Sequence, residues 1–415
     1  MIGTTSPPLR PSLSIFLGGP GVDGGMDGSN QPSSSWQQAE RLGQVEPTGW
    51  GSGFFEDPAP LIERAGQSGV DEALLRVPWA RVAPREGYVD AGVLDRYVEI
   101  VRHLRSKGLA VGVVLSDGSL PGWMGPEGWL LPSAPERFSD YADAVMGALG
   151  PDITTVITFE EPARAALAGW TLGVAPPFRV LAAPDSIAVL DNMMAGHHRV
   201  ARRSDSLGLG VEVAYVASPA VCAVDLEGVV LGDDVGSLLA NQVRRWSPGR
   251  AAAGGGPADA FSVIGVGPAP RPVGAGTLAR ALQPPRPVTS PEAVRDHLVQ
   301  GDGASRRASR SLVFRHVAAV IDQKGRRTEI NGHRRAQEIR TICDGAMLAA
   351  QAGSSTKRIV VGELVDRWSL GSYRWREGLV GVDRTRGLRG VTMLTTDSAG
   401  VDALGELKRI AGGLS

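Results

Sequence analysis

Short apolar runs recur along the chain, separated by longer stretches in which apolar positions return every third or fourth residue. The short runs predict strands and the longer stretches amphipathic helices. "SLSIFL" at 12–17 is the first run, and an amphipathic pattern over 58–67 leads to "EALLRV" at 72–77. Asp90 can cap a helix that carries Val93, Leu94, Tyr97, Val98, Val101 and Leu104 at helical spacing, with Gly108 as its stop. "AVGVVL" at 110–115 is the third strand. Pro135 opens a helix with Phe138, Tyr141 and Val145 on one face, and "TTVITF" at 154–159 is the fourth strand.

The second half carries the same alternation less clearly. Helical patterns cover 185–206, 233–246 and 333–351, the last with Ala336, Ile339, Cys343 and Met347 inward. "GVEVAYV" at 210–216, "AFSVIGV" at 260–266, "RHVAAVI" at 315–321 and "RIVVG" at 358–362 read as strands five to eight. "AAAGGGP" at 251–257 is a flexible connector, and the Pro- and Gly-rich stretch 267–290 is a long loop. Eight strands alternating with helices predict an α/β fold: a single (β/α)8 TIM barrel with inserted loops. It spans 12–412, behind a disordered N-terminal tail at 1–11. An open, doubly wound sheet would call for a GxGxxG turn after a strand, and none has that context.

Composition narrows the choice of partner. A chain of 415 residues, 42% hydrophobic, can bury a sizeable core, and its formal net charge of -1 gives no electrostatic case for nucleic acid or a membrane surface. No apolar run approaches the about 20 residues that cross a bilayer, and the N-terminus lacks the charged and apolar regions of a signal peptide. Cys222 and Cys343 form no CxxC pair and no metal spacing, which suits a reducing cytoplasm. The expectation is a cytoplasmic protein with a small-molecule substrate and neither cofactor nor metal; no sequence feature sets its oligomeric state.

The chemistry concentrates in "VITFEEPARAALAGW" at 156–170. Two adjacent carboxylates, Glu160 and Glu161, end a hydrophobic strand and precede a proline. Burying one carboxylate is costly and burying two costs more. The C-terminal ends of barrel strands carry the active site, so the pair marks a candidate site. His197 and His198 are neighbours on a helix and point about 100° apart, a poor arrangement for one metal. "SRRASRS" at 305–311 reads as a solvated basic face. No Ser–His–Asp order, P-loop or zinc motif is present.

"FEEP" resembles the TFNEP motif of family 1 glycoside hydrolases, the β-glucosidase type. "GVDEALLRVPWARVAPREGYVDAGVLDRYVEIVRHLRSKGL" is similar to the family's second strand, its W-x-R-x-x-P turn (Trp79, Arg81, Pro84) and the following helix. "VVLSDGSLPGWM" resembles TLxHWDLPxWL, and "EGWLLPSAPERFSDYADAV" resembles GGWLxxxxxxxFxxYAxxx. "RIVVGELVDRWSLGSYRWREGLVGVD" is similar to the closing GYFxWSLLDNFEWxxGYxxRFGLxxVD. The resemblance covers roughly residues 12 to 385 and is weak from about 180 to 330.

The resemblance implies a retaining glycosidase site, with an acid/base glutamate in the NEP motif and a nucleophilic glutamate in a TENG motif after strand seven, about 5 Å apart. By this match Glu161 takes the acid/base position and Glu160 replaces the family asparagine. "AAVIDQKG" lines up with YITENG and puts Gln323 at the nucleophile, where an amide cannot do a carboxylate's work. "TEING" at 328–332 offers Glu329 as the alternative. Asp117 stands at the family histidine after strand three, Gly265 and Val266 at an asparagine–tyrosine pair, and Leu74 at the arginine of RFSISW. Gly362 stands at the tryptophan of WSLLD, and Ser369 at the glutamate of FEW. Trp123, Trp129, Trp170 and Trp368 offer rings that either stack on a substrate or pack the core.

The departures imply a family 1 scaffold that has left ordinary glucoside hydrolysis. Three readings follow. One is a divergent glycosidase-like enzyme on a glycoside or related polyhydroxylated molecule, with Glu161 as acid and Glu160 and Asp117 beside it. Another is a repurposed eliminase, cyclase or isomerase, and the third is a non-catalytic binding protein.

Overall fold

The computed structural model describes residues 10–24, 33–217, 260–266, 290–302, 310–316, 319–321, 327–329, 332–354, 356–369, 371–373, 375–383, 392–394 and 402–414. Within them, β1 (Ser12–Leu17), β2 (Glu72–Arg76), β3 (Ala110–Val114), β4 (Thr155–Glu160), β5 (Glu212–Ala217), β6 (Ala260–Val266) and β7 (Arg310–His316) lie side by side in parallel. Two short strands then leave this sheet: β8 (Ala319–Ile321) and β9 (Arg327–Glu329). β10 (Thr356–Val365) pairs in parallel with β7 on one side and β1 on the other, which closes an eight-stranded barrel. β8 lies between β9 and β11 (Trp375–Arg376) in a separate antiparallel sheet. β12 (Gly378–Asp383) pairs with the end of β10, and β13 (Thr392–Leu394) with β12.

Among the described residues, the α-helices between and after the strands are α1 (Ser35–Arg41), α2 (Ala59–Gln67), α3 (Trp79–Val82), α4 (Ala91–Ser106), α5 (Ala134–Leu149), α6 (Pro162–Ala166), α7 (Ala183–Leu207), α8 (Pro291–Asp302), α9 (Gly332–Gln351) and α10 (Ala403–Leu414). Asp90 caps α4 as its position foretold: its Oδ1 accepts from the Val93 N–H at 3.1 Å. The buried faces of α4 and α5 carry Tyr97, Val101 and Leu104, and Phe138, Tyr141 and Val145. Trp79 packs between Trp123, Trp129, Phe138 and Tyr141 and joins β2 to the helical layer.

The expected seventh strand is corrected. The barrel strand is "RSLVFRH", not the 315–321 run, which contributes β8 to the side sheet. Two short apolar runs stand close together there, and periodicity does not say which one a barrel uses. Residues 310–311 of the basic run begin β7; 305–309 lie outside the described residues, as do the expected helix 233–246, the connector 251–257 and 267–289 of the expected loop. Of the expected tail, 1–9 lie outside them, whereas Arg10 pairs with Asp71 through two 2.9 Å bonds.

The barrel interior is layered. At the N-terminal end Arg358 is bound to Glu72 (2.6 Å), Glu212 (3.2 Å) and Thr155 (2.9 Å), with Ser14 donating to Glu72. Above it lies an apolar band of Phe16, Leu74, Val114, Ile157, Ala214, Val216 and Val360. The third layer, at the mouth, is charged again. Period-two alternation sets this order on β2, where Glu72, Leu74 and Arg76 share the inward face.

Candidate active site

The mouth layer centres on Arg76, whose guanidinium is 1% exposed. Its Nε donates to Glu160 at 2.8 Å and its Nη1 to Glu363 at 2.8 Å; Nη2 donates to both, at 3.1 and 2.7 Å. Arg367 adds contacts of 3.3 Å to Glu160 and 3.2 Å to Glu363. Two arginines thus face two glutamates on the barrel floor. Burial alone would raise the Glu363 carboxyl, but Arg76 and Arg367 hold it below the usual carboxylate range. Both oxygens of Glu160 accept charge-assisted bonds, a geometry that suits an ionised carboxylate and not a proton donor.

Register shifts bring these groups inward. The β4–β5 ladder slips between Ile157 and Glu160, and the β1–β10 ladder slips where Val360 and Glu363 face Ser14 and Phe16. Each bulge turns a glutamate onto the interior face that strict alternation would deny it. In β10 the slip holds Gly362 at φ 60°, a left-handed conformation that favours glycine. Neither Arg76 nor Glu363 stood out as a site residue in the sequence. The available signal was a second charge within each of two apolar strands, Arg76 in "EALLRV" and Glu363 in "RIVVGELV". Leu74, at the family arginine position, belongs to the apolar band, and Arg76 brings an arginine to the same face two residues on.

Glu161 ends the strand differently. Its backbone is left-handed, φ 55° and ψ 59°, and its N–H donates to Val216 O at 2.9 Å while Pro162 opens α6. A non-glycine residue held there costs on the order of 1–3 kcal/mol, which the surrounding structure must offset. The turn sends Glu161 away from the floor cluster. Its Oε2 accepts from Arg164 Nη1 at 2.7 Å, and its side chain is 6% exposed.

Glu160, Glu161, Arg164, Arg367 and Asp117 line one cavity of about 300 Å³, together with Trp36, Trp129, Trp170, Trp368 and Phe178. Trp368 packs edge-on against Trp36 with centroids 4.9 Å apart, and its Nε1 donates to Glu46 O. The Trp170 Nε1 is buried with no hydrogen-bond partner. Trp123, expected at the substrate, does not line the cavity: its ring packs on Trp79 and its Nε1 donates to Ala83 O. Ser369, matched in the sequence to the glutamate of the family's FEW, lines the cavity.

Asp117 Oδ1 accepts from the Ser119 N–H and hydroxyl, at 3.1 and 2.7 Å, and its Oδ2 is buried without a partner. Asp117 also lines a side pocket of about 40 Å³ with Asp23, Ser34, Ser119 and Arg81. Asp23 is 4% exposed, and neither carboxylate oxygen has a hydrogen-bond partner. Burial pushes its carboxyl up to about 7, against the opposing pull of Arg81 and the nearby Gly19 backbone. The sequence reading missed Asp23, which follows β1 in the glycine-rich "GGPGVDGG".

Gln323 lies outside the described residues, and β7 ends at His316, well short of it. Glu329 ends β9, where its backbone pairs with Ala319 in the side sheet and not at the end of a barrel strand. His197 is fully buried on α7 with its Nδ1 2.8 Å from Thr158 Oγ1, a packing role. Among the described residues no group of three His, Cys, Asp or Glu side chains stands close enough to hold a metal ion. None of their helices is long and apolar enough to cross a membrane.

The sequence profile of Glycosyl hydrolase family 1 matches residues 63–222, which run from α2 through β5 and include Glu161. Beta-glucosidase-like SFR2 of Oryza sativa subsp. japonica is 26% identical over 172 residues, 37% of this chain and 25% of that protein. Galactolipid galactosyltransferase SFR2 of Arabidopsis thaliana is 28% identical over 116 residues, 26% of this chain and 19% of that protein. The chain thus spans about a quarter of the length of such relatives. The AHE enzyme from Alicyclobacillus herbarius superposes with a TM-score of 0.76 at 16% identity, covering 98% of this chain and 99% of that one. The psychrophilic β-glucosidase BglU from Micrococcus antarcticus gives 0.73 at 18% identity, covering 98% and 97%. The β-glucosidase from Thermotoga maritima in complex with deoxynojirimycin gives 0.70 at 16%, covering 97% of each. The fold is the family 1 glycosidase barrel, and the matches together indicate a family 1 glycoside hydrolase-like protein.

Proposed function

We propose that this family 1 glycoside hydrolase-like chain is an acid/base enzyme acting on a glycoside or related polyhydroxylated small molecule, with Glu161 exchanging the proton. One observation carries the reading. Glu161 is a buried carboxyl at the C-terminal end of the fourth barrel strand, turned by a left-handed backbone away from the floor cluster and into an aromatic-lined cavity. A catalytic acid needs reach to the leaving oxygen and shelter from water, and this position offers both. Trp36, Trp170 and Trp368 supply ring faces and edges for the apolar side of a sugar.

The roles of the neighbouring acids differ. Glu160 is part of the floor, tied to Arg76 and Arg367, and shapes the cavity without donating a proton. Asp117 has a buried oxygen with no partner and can accept from a substrate hydroxyl or from water. In the reaction Glu161 protonates the departing oxygen as the C–O bond breaks. The arriving group is water, or a second sugar hydroxyl as in the transfer named for the Arabidopsis relative. β7 ("RSLVFRH"), the strand whose end carries the nucleophile in the family pattern, holds no carboxylate, which favours direct displacement over a covalent intermediate.

The test is a panel of aryl glycosides and sugar acceptors, assayed for release and transfer with native protein and Glu161→Gln. Turnover of any member that falls about 10²-fold or more in the variant supports the reading. Turnover that Glu161→Gln leaves unchanged refutes it. A second reading, elimination or isomerisation on the same scaffold, draws on the engagement of both Glu160 oxygens by Arg76. It expects an unsaturated or rearranged product in place of a released sugar.

A further inference from the structure

We propose that residues 172–182 form a lid over the cavity, with Arg179 as its clasp, and that this lid lifts to admit and release the ligand. The cavity poses a problem of entry. Its volume is about 300 Å³, yet Trp36, Trp170, Trp368, Glu160 and Glu161 on its walls are none of them more than 7% exposed. A sugar-sized molecule needs a wider way in, so part of the wall has to move. The floor is fixed by barrel strands and their ion pairs. The wall at α1 is pinned to the turn after β3: Ser35 N–H donates to Leu120 O at 2.8 Å, and Leu120 N–H to Ser35 Oγ at 3.1 Å. The remaining wall is formed by Ala175, Pro176, Pro177 and Phe178.

That wall is folded back on the π-helical turn Leu167–Thr171, a form that recurs at functional segments. The N–H groups of Val174, Arg179, Leu181 and Ala182 donate to Ala168 O, Gly169 O, Thr171 O and Trp170 O at 2.8–3.0 Å. Two side chains reach beyond the loop to the other walls. The Phe178 ring meets Trp36 of α1 edge-on, with centroids 6.4 Å apart. Arg179 Nη2 donates to Glu127 at 2.8 Å, beside Gly125 and Pro126, which also line the cavity. Its Nη1 donates to Asp185, at the start of α7, at 3.0 Å. All three charged side chains are exposed, and an exposed pair holds weakly and yields to salt.

The closed loop is strained. Among the described residues the non-glycine positions at positive φ are Glu161, Phe178 (59°) and Leu181 (58°), so all of them fall between the candidate acid and the end of the loop. Such residues persist only where their surroundings hold them, and they gather at ligand clamps and switch segments. Val180 and Leu181 are 62% and 56% exposed, so closure gains little from burying them. Beneath the loop Trp170 Nε1 and Thr171 Oγ1 are buried without partners, a cost that lifting removes by admitting water. Strain and unpartnered groups thus favour lifting, while the clasp, the ring contact and the backbone bonds oppose it. A ligand that fills the space under Phe178 adds contacts to the closed state alone and so draws the lid down.

Lifting can be read on the full chain with no ligand and no turnover, so the result is separate from the role of Glu161. Ala168 lines the cavity under the loop and is 1% exposed. A thiol placed there by Ala168→Cys reacts with methyl methanethiosulfonate only while the lid is up, and mass spectrometry separates its peptide from those of Cys222 and Cys343. Hydrogen exchange of the amides at 174–182 reports the same motion in protein without that substitution. Arg179→Gln and Glu127→Gln should each speed labelling and exchange by about two- to fivefold, with one factor for both readouts. Adding Glu127→Gln to Arg179→Gln should add nothing further. Raising salt from about 0.05 to about 0.5 M should speed lifting in the native chain and not in the double variant. Arg203→Gln, which removes pairs to Asp140 and Asp143 elsewhere on α7, should leave both rates unchanged.

Rates that Arg179→Gln leaves unchanged overturn the lid. So does labelling that shares the urea dependence of the β2 and β3 amides, because entry then needs the whole barrel to unfold. Exchange at 174–182 that quickens while labelling does not would show a fraying loop that uncovers nothing, and would overturn it too. Should Ala168→Cys fail to fold, exchange at 174–182 in the native, Arg179→Gln and Glu127→Gln chains decides by the same factors.

Discussion

Arg76, at the end of β2, and Glu363, 287 positions later on β10, are joined by hydrogen bonds of 2.8 and 2.7 Å on the barrel floor. The pair closes the interior across strands far apart in sequence, and Glu160 joins it from β4. Removing the arginine would strip two buried carboxylates of the guanidinium they share, with Arg367 still beside them. Arg76→Met is therefore expected to destabilise the fold by about 3–5 kcal/mol in urea unfolding. Replacing Arg76 and Glu363 together by apolar residues should cost less than the sum of the two single changes. Strict additivity of the two would refute the coupling.

Acid should act on the same cluster. Glu363 is held below the usual carboxylate range by its arginines. A depressed carboxyl adds stability that is present above its unfolded value and is lost as pH falls through the folded one. Unfolding below about pH 4 should therefore be shallower in Glu363→Gln than in the native protein.

Asp23 has the opposite sign. Its folded carboxyl sits at about 7, above the ordinary aspartate value of 3.8. The folded protein holds that proton where the unfolded chain has released it, so Asp23 favours folding at low pH and opposes it as pH rises from about 4 to 7. Asp23→Asn should flatten that slope and raise stability at pH 8 by on the order of a few kcal/mol. Denaturant midpoints at pH 5 and pH 8 decide; an unchanged slope refutes the assignment.

Gly362 carries the slip that aims Glu363 inward. At φ 60° an alanine is strained, and Gly362→Ala should cost about 1–2 kcal/mol by thermal denaturation. Gly108, also at positive φ but with open space where a Cβ would stand, serves as the control for a strain-only cost. A larger loss at Gly362 than at Gly108 would tie the excess to the floor cluster.

Simple aryl β-glucosides should turn over little or not at all. β7, the strand after which the family pattern has its nucleophile, carries no carboxylate, and Asp117 and Ser369 stand in the cavity where that pattern has a histidine and a glutamate. Losing a covalent nucleophile leaves only binding and the acid, a deficit of several orders of magnitude. Robust release of 4-nitrophenol from a β-glucoside would show that ordinary hydrolysis persists.

Local patterns were enough to read much of this barrel. The apolar runs foretold β1 to β6 and β10 to within a few residues at either end, and Asp90 foretold the start of α4. "FEEP" led to the cavity because a charged pair at the end of an apolar strand is a one-dimensional signal. That the two glutamates part company was not readable: a ladder slip turns Glu160 to the floor, and a left-handed residue sends Glu161 to Arg164. The choice of β7 over the neighbouring run, and the meeting of Arg76 with Glu363, belong to the closed sheet. Strand alternation is a property of neighbours along the chain, whereas bulges and buried ion pairs answer to what the adjacent strands present. Such pairs can be judged only once the barrel has closed and removed the water between them.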